Sequence, residues 1–215
     1  MATDDRRIDN RAPDDWAREV RYATLIAVPD VRASIANCAL RSRPGVSAEQ
    51  CLAFFDTVTP TVAGALMPGV APTSSALSLS RLSSVLVPIF VRLGIRASHT
   101  RSADLSIPPG LVIATALCSF ASYGQTVQSA QQYDDGCLLE ATLPSELRAW
   151  AGVLYVGISV TADDVTHVNG AVTVKGQMFD WGEGVKKLDH LFADLKNASL
   201  DDFRNSSAHV PLPPI

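Results

Sequence analysis

The feature that most constrains the fold is a change of hydrophobic period in the stretch from Cys137 to Leu195. The runs CLLEATLP, GVLYVGISVT and VTHVNGAVTVKG alternate apolar and other residues, whereas apolar residues recur every three or four positions in DWGEGVKKLDHLFADL. Period two is typical of a strand with one buried face, and the longer period is typical of an amphipathic helix. The stretch therefore predicts three antiparallel strands followed by a helix that covers their apolar face.

Local residues mark the ends of these elements. Asp163-Asp164 lies between two of the runs and predicts a hairpin turn. Asp180 precedes the helix and Glu183 follows three residues later, the spacing of an N-cap with a reciprocating glutamate. We expect the apolar stripe of the helix to face the sheet. The residues of this stripe are Val185, Leu188, Leu191, Phe192 and Leu195.

The segment before this stretch extends the sheet. IRASHTRSADLSI predicts an irregular edge strand, and Pro108-Pro109 opens an apolar helix, GLVIATALCSFASY, that ends at Gly124. QTVQSAQQY predicts a further strand, with a turn at Asp134-Asp135-Gly136. The predicted fold class is α+β, with a four- to five-stranded antiparallel meander packed by helices and preceded by an N-terminal helical region.

The first half of the chain predicts helices without strands. Four segments have helical patterns: DDWAREVRYATLIAV after Pro13, DVRASIANCALRS, SAEQCLAFFDTV and SALSLSRLSSVLVPIFVRLG. Residues 59–75 contain three prolines and predict a loop or broken helix. The predicted organisation is a polar arm at 1–12, a helical region at 13–94, an α+β two-layer sandwich at 95–197 and an extended, Pro-rich tail at 198–215.

Composition excludes several classes of protein. A hydrophobic content of 47% and a charged content of 19% describe a globular chain. A net charge of −4 disfavours a nucleic-acid partner. The apolar core of the longest uncharged run is only about half as long as the roughly 20 residues that a membrane-spanning helix needs. The acidic first residues have no apolar core and predict no secretory signal, so we expect a cytoplasmic protein.

The chain has no recognisable catalytic or metal-binding motif. Its four histidines have no metal-ligand spacing to a cysteine or to each other, and phosphate-loop and nucleophile-elbow patterns are absent. We therefore expect no metal, no cofactor and no enzymatic activity. The four cysteines include no C-x-x-C pair and are expected to be free, largely buried thiols rather than disulfides. Cys118 and Cys137 lie in apolar sequence and are interpreted as packing residues.

The second half of the chain resembles a set of small bacterial domains of unknown function. Such domains end in a hairpin, a phrase like G-Q-x-x-D-W-G-K and a terminal helix. The matching residues here are Gly176, Gln177, Asp180, Trp181 and Gly182. Glu183 stands where a lysine is common, and the similarity covers about residues 105–195. The resemblance implies a two-layer α+β sandwich and no established activity.

Three residues are candidates for binding a ligand or partner. Trp181 and Gln177 would line a patch at the end of the sheet, although Asp180-Trp181-Gly182 also has a purely structural interpretation as a helix start. Glu140 is an acid in the middle of a strand, where it is either a buried site residue or a residue facing water.

The leading functional hypothesis is a non-enzymatic interaction or assembly subunit with a protein partner, based on the extended arms and the absence of catalytic motifs. The alternative is a module that binds a small apolar ligand in a cavity between sheet and helices. An enzyme would require two of Glu140, His99 and His167 to converge in one cleft.

Overall fold

A computed structural model of the chain describes residues 15–42, 48–58, 61–62, 99–143, 152–162, 164–174 and 183–207. A 3₁₀ helix, Asp15–Arg18, comes first. The helices are α1 Tyr22–Ala27, α2 Pro29–Ser42, α3 Ala48–Asp56, α4 Pro109–Ser122, α5 Glu183–Lys196 and α6 Leu200–Ser207. The strands are β1 Thr61–Val62, β2 His99–Leu105, β3 Thr126–Tyr133, β4 Gly136–Leu143, β5 Gly152–Ala162 and β6 Val165–Val174.

The strands form one sheet with the order β1-β3-β4-β5-β6-β2. Strands β3 to β6 form an antiparallel meander, and β2 pairs antiparallel with β6 at one edge. At the other edge the two residues of β1 pair in parallel with β3, in a segment predicted to be a loop or broken helix. The α+β class and the antiparallel meander are thus confirmed, including β2 as an edge strand.

One face of the sheet is continuous and apolar. Leu139 of β4 lies opposite Val156 of β5, and their neighbours on the same face, Ala141 with Leu154 and Cys137 with Ile158, follow the same register. These side chains are almost completely inaccessible to solvent. Alternation along each strand therefore places the predicted apolar residues in the core.

Helix α5 covers this face through close contact with β6. Leu188, Leu191, Phe192 and Leu195 of α5 are all buried. A Cβ atom at Gly170 of β6 would lie 2.8 Å from Leu188 Cδ2 and 3.0 Å from Phe192 Cε2. Gly170 pairs in register with Arg101 of β2, whose guanidinium carbon lies 5.1 Å from the centre of the Phe192 ring. The absence of a side chain at Gly170 therefore lets Phe192 sit directly on the sheet.

The prediction that Val185 faces the sheet is wrong. Val185 lies in the first turn of α5 and is 40% exposed, whereas the following apolar residues of the stripe are buried. The buried stripe thus begins at Leu188, one turn after the point at which the hydrophobic period begins. Sequence periodicity identifies the apolar stripe of a helix, but it does not show which residues of the stripe contact another element.

Helix α4 lies at the centre of the helical side of the molecule. It contacts strands β3, β5 and β6 as well as helices α1, α2 and α5. Every residue of α4 is buried except Cys118 and Ser122. The apolar surface of such a helix has to be covered by other elements of the fold. Helix α2 packs on α4, and α6 packs on α2, so these outer helices add to the two layers that the resemblance implied.

The first predicted helix is interrupted. Residues 14–28 were expected to form one helix, but the 3₁₀ helix ends at Arg18 and α1 begins at Tyr22. The Glu19 carboxylate accepts hydrogen bonds from the backbone N–H groups of Val20 at 3.1 Å and Arg21 at 2.9 Å. Since these bonds replace helical ones locally, the side chain of Glu19 stabilises the break.

The segment after α5 also differs from its prediction. An extended tail was expected from residue 198, but residues 200–207 form α6. The Ser199 hydroxyl accepts a hydrogen bond from the Asp201 N–H, and Asp201 and Asp202 occupy the first turn, where acidic residues favour the helix dipole. Phe203 is buried and its ring centre lies 5.3 Å from that of Trp16. Phe203, together with the partly buried Leu200, packs this mostly polar helix against the hydrophobic core.

Several predicted features lie outside the described residues. They are the polar arm at 1–12, the helix at 76–94, and the residues Asp163 and Asp180. No helix in the described ranges is both long and apolar enough to cross a membrane.

Replacing Phe192 with alanine should lower the free energy of unfolding by about 3–5 kcal/mol, because it opens a cavity between α5 and β6. The matched control is Val185→Ala in the same helix, which should change it by less than about 0.5 kcal/mol because Val185 is exposed. Urea denaturation of both variants measures the difference. Equal, small effects would show that α5 does not cover the sheet.

Candidate functional site

A cleft of about 720 Å³ lies among helices α2, α4, α5 and α6. It lies on the helical side of the molecule and not on the open face of the sheet. Its lining is rich in side chains that are able to form hydrogen bonds. Those from α2 and α4 are Ser34, Asn37, Arg41, Thr115, Ser119, Ser122 and Tyr123, and those from α5 and beyond are Asp194, Asn197, Asp202 and Asn205.

The cleft follows a polar stripe on α4. Thr115, Cys118, Ser119 and Ser122 are separated by three, one and three residues, so they lie along one side of the helix. All four line the cleft, while the remaining side chains of α4 are apolar and buried. The one polar side of the most deeply buried helix is therefore the wall of the cleft.

Two hydroxyl groups in this wall have no hydrogen-bond partner among the described residues. Ser34 of α2 is 4% exposed and Thr115 of α4 is 9% exposed, and neither side-chain oxygen forms a hydrogen bond. Ser119 is equally buried, but its hydroxyl donates to Asp194 Oδ2 at 2.7 Å. Since a buried hydroxyl without a partner typically costs about 1–3 kcal/mol, Ser34 and Thr115 are the anomalous polar groups of the cleft.

Charged and aromatic groups surround the cleft. Asp194 and Asp202 are acidic, and Arg41 is basic. The Tyr123 ring stacks on His190 with ring centres 5.0 Å apart. Burial, together with the nearby Asp194, raises the pKa of Tyr123, so its hydroxyl stays protonated and can donate a hydrogen bond. Acceptors and donors are thus both present around one concavity.

Two cysteines meet in the cleft. Cys38 of α2 and Cys118 of α4 are both free and partly exposed, and both line the cleft. The neighbouring Cys118 is the largest factor lowering the pKa of Cys38 to about 6, and Ser122 and Arg41 also favour the thiolate. The pKa of Cys118 is raised, chiefly by the neighbouring Cys38 and then by burial. Cys118 packs against the hydrophobic core, as interpreted from the sequence, but it is also partly exposed at the cleft, whereas Cys137 is free and fully buried as expected.

The candidates from the sequence lie elsewhere. Glu140 is on the sheet face opposite the helices, where Ser129 donates a hydrogen bond to its Oε2 at 3.0 Å. It is partly buried and pairs in register with Tyr155. Glu140 is not among the residues that line the cleft. Gln177 and Trp181 lie outside the described residues, so their binding role stays a prediction.

The histidines that an enzyme hypothesis required do not enter the cleft either. His167 Nδ1 lies 2.6 Å from Asp104 Oδ1, in a cross-strand pair between β6 and β2 whose aspartate is 68% exposed. His99 lies on β2, away from the residues of the cleft. Within the described ranges, no three or more His, Cys, Asp or Glu side chains are placed to hold a metal ion.

Sequence reasoning missed the cleft although one signal was available. Thr115, Cys118, Ser119 and Ser122 are the only hydrogen-bonding side chains of the α4 sequence, and their helical spacing predicts one shared side. The partners on α2 and α6 could not be found this way, because they join α4 only through the packing of distant segments.

Comparisons of the chain with protein-family models, with curated proteins and with solved structures find no match. The resemblance to small bacterial domains stays a prediction.

Ser34 and Ser119 form a matched pair that tests the unpartnered hydroxyl. Ser34→Ala should leave the free energy of unfolding unchanged or raise it by up to about 1 kcal/mol, because no hydrogen bond is lost. Ser119→Ala should lower it by about 1–2 kcal/mol, because Asp194 loses its donor. Both serines lie inside helices, so replacement by alanine raises the helix propensity by a similar amount in the two variants. Urea denaturation measures both, and an equal loss in the two variants would mean that Ser34 has a structural partner.

The thiol pair predicts a pH-dependent alkylation rate. The rate of Cys38 alkylation by iodoacetamide, followed by peptide mass spectrometry, should rise with a midpoint near pH 6 because the thiolate forms there. The alkylation rate of an ordinary thiol has its midpoint at a pH of about 8.5. Cys118→Ala removes the neighbouring group that most lowers the pKa of Cys38 and should move the midpoint upward. A midpoint of 8 or more in both proteins (roughly that of an unperturbed cysteine) would contradict the pairing.

Proposed function

We propose that this chain is a non-catalytic binding protein that holds a small polar molecule in the cleft among α2, α4, α5 and α6. The observation that carries the proposal is the pair of buried, unpartnered hydroxyls of Ser34 and Thr115 in the cleft wall. Buried polar groups are nearly always hydrogen-bonded in native proteins, and a ligand is one of the few partners that can complete two of them at once.

The size of the cleft suits a metabolite. A volume of about 720 Å³ lies within the range of about 300–1,000 Å³ found for small-molecule sites. Helices supply most of the lining, so the polar groups are held by packed elements and need little rearrangement on binding. Such preformed positions favour a specific, small ligand over a flexible one.

The lining also indicates the chemistry of the ligand. A hydroxyl both donates and accepts, so Ser34 and Thr115 can bind hydroxyl, carbonyl or amine groups. Asp194 and Asp202 outnumber Arg41 among the charged lining residues, which favours a ligand with an ammonium group. The ligand class that fits best is an amino alcohol or amino sugar, with hydroxyl groups toward α2 and α4 and the ammonium group toward the aspartates.

This proposal modifies the alternative derived from the sequence. An apolar ligand was expected between sheet and helices, but that interface is occupied by buried side chains, including Phe120 and Phe192. The polar helix cleft favours a polar ligand instead. The hypothesis of an assembly subunit with a protein partner stays a prediction. Val185 is the one large apolar side chain exposed in the described ranges, so the described surface does not itself suggest an apolar docking patch.

Titration of the full chain with glucosamine and with 2-amino-1,3-propanediol, followed by amide NMR, tests the proposal. We expect chemical-shift changes to cluster on α2, α4 and the turn between α5 and α6. The double variant Ser34→Ala/Thr115→Val should weaken binding about tenfold or more, since each lost hydrogen bond contributes about 0.5–1.5 kcal/mol.

Glu140→Gln is the matched control, because it removes a charge on the opposite side of the sheet and should leave the affinity unchanged. Shifts that cluster around Glu140 would place the site on the sheet instead. Absence of saturable binding by both compounds would contradict this ligand class.

A further inference from the structure

The cysteine pair in the cleft connects two helices that are far apart in sequence. Cys38 belongs to α2 and Cys118 to α4, and the two helices pack directly on each other. Alanines at positions 33, 36 and 39 of α2 and at 114 and 121 of α4 are buried, so small side chains accompany the contact. The two thiols line the same cleft, both are partly exposed, and each shifts the pKa of the other, as neighbouring groups do. Proximity, access and free thiols are the three conditions for reversible disulfide formation.

We propose that Cys38 and Cys118 are a redox-active dithiol, oxidised to an intramolecular disulfide by a hydroperoxide that enters the helix cleft. The redox role shares the cleft with the proposed ligand but does not require that ligand to bind. Cys38 is the attacking residue, because Cys118, Ser122 and Arg41 all favour its thiolate. Cys118 is the resolving residue, because it keeps its proton and lies beside Cys38.

The chemistry balances in two steps. The Cys38 thiolate attacks one peroxide oxygen, so that an S–O bond forms, the O–O bond breaks and hydroxide, or an alkoxide from an organic hydroperoxide, leaves and takes a proton from solvent. Sulfur is oxidised to a sulfenic acid and the peroxide is reduced. The Cys118 sulfur then attacks the Cys38 sulfur, the S–S bond forms, and the S–O bond breaks. The leaving hydroxide accepts the proton of the Cys118 thiol and departs as water.

Formation of the disulfide in response to the oxidant would also change the cleft. It removes the thiolate from the cleft wall and fixes α2 to α4 at the middle of the polar stripe. Cys137 provides an internal contrast, because it is fully buried beneath the helices and burial raises its pKa to about 12. The same oxidant should therefore leave Cys137 reduced.

Treatment of the reduced full-length chain with a small excess of hydrogen peroxide tests the proposal. Mass spectrometry of a non-reducing digest should show the Cys38 and Cys118 peptides linked, with dithiothreitol restoring both thiols. The same link should form in Cys51→Ser and Cys137→Ser. In Cys118→Ser, Cys38 should accumulate as a sulfenic acid that dimedone traps, whereas Cys38→Ser should leave Cys118 largely unoxidised.

The wild-type digest decides the matter even if a variant fails to fold. A disulfide that joins Cys38 or Cys118 to Cys51, a link between two chains, or direct oxidation of Cys38 to the sulfinic acid would overturn the assignment of Cys118 as its partner. Recovery of both thiols unreacted, after exposure that oxidises free glutathione, would overturn the redox role itself.

Discussion

The structure depends on the burial of helix α4 on nearly all sides. Its apolar residues contact the sheet below and α2 beside it, and the segment Trp16–Glu19 crosses its first turn. A Cβ atom at Gly110 would lie 2.2 Å from the Trp16 carbonyl oxygen, so only glycine allows this crossing. Because such a helix cannot face water, the N-terminal helices and the sheet have to close around it. The two predicted regions of the chain therefore share one hydrophobic core.

The polar stripe is the exception to this burial, and it creates the cleft. Had Thr115, Cys118, Ser119 and Ser122 been apolar, α2, α5 and α6 could have closed over α4 completely. Instead, the Ser119 hydroxyl donates a hydrogen bond to Asp194, Cys118 lines the cleft together with Cys38, and Thr115 has no partner in the described structure. A buried polar group that lowers stability without a structural benefit is typical of functional sites. The binding and redox proposals both follow from this one stripe.

The sequence predicted the elements of the second half well, because hydrophobic period and turn residues act locally. Strands β3 to β6, helix α4 and its end at Gly124, with φ of 65°, all follow from such signals. The exposure of Val185 and the helix at Leu200–Ser207 were not predicted, because both depend on which surface a segment meets after folding. The cleft was missed for the same reason. Its residues come from four helices, and Ser34 has no sequence relation to Thr115.

Native-state hydrogen exchange of the backbone amides, measured by NMR across a range of low urea concentrations, tests the central claim most directly. If α4 is the element around which the fold closes, the amides of residues 112–117 should exchange only through global unfolding, with the same free energy as those of strands β4 and β5. Exchange of α4 at a markedly lower free energy, while the strands stay protected, would show that the sheet is stable without α4 and would contradict the account.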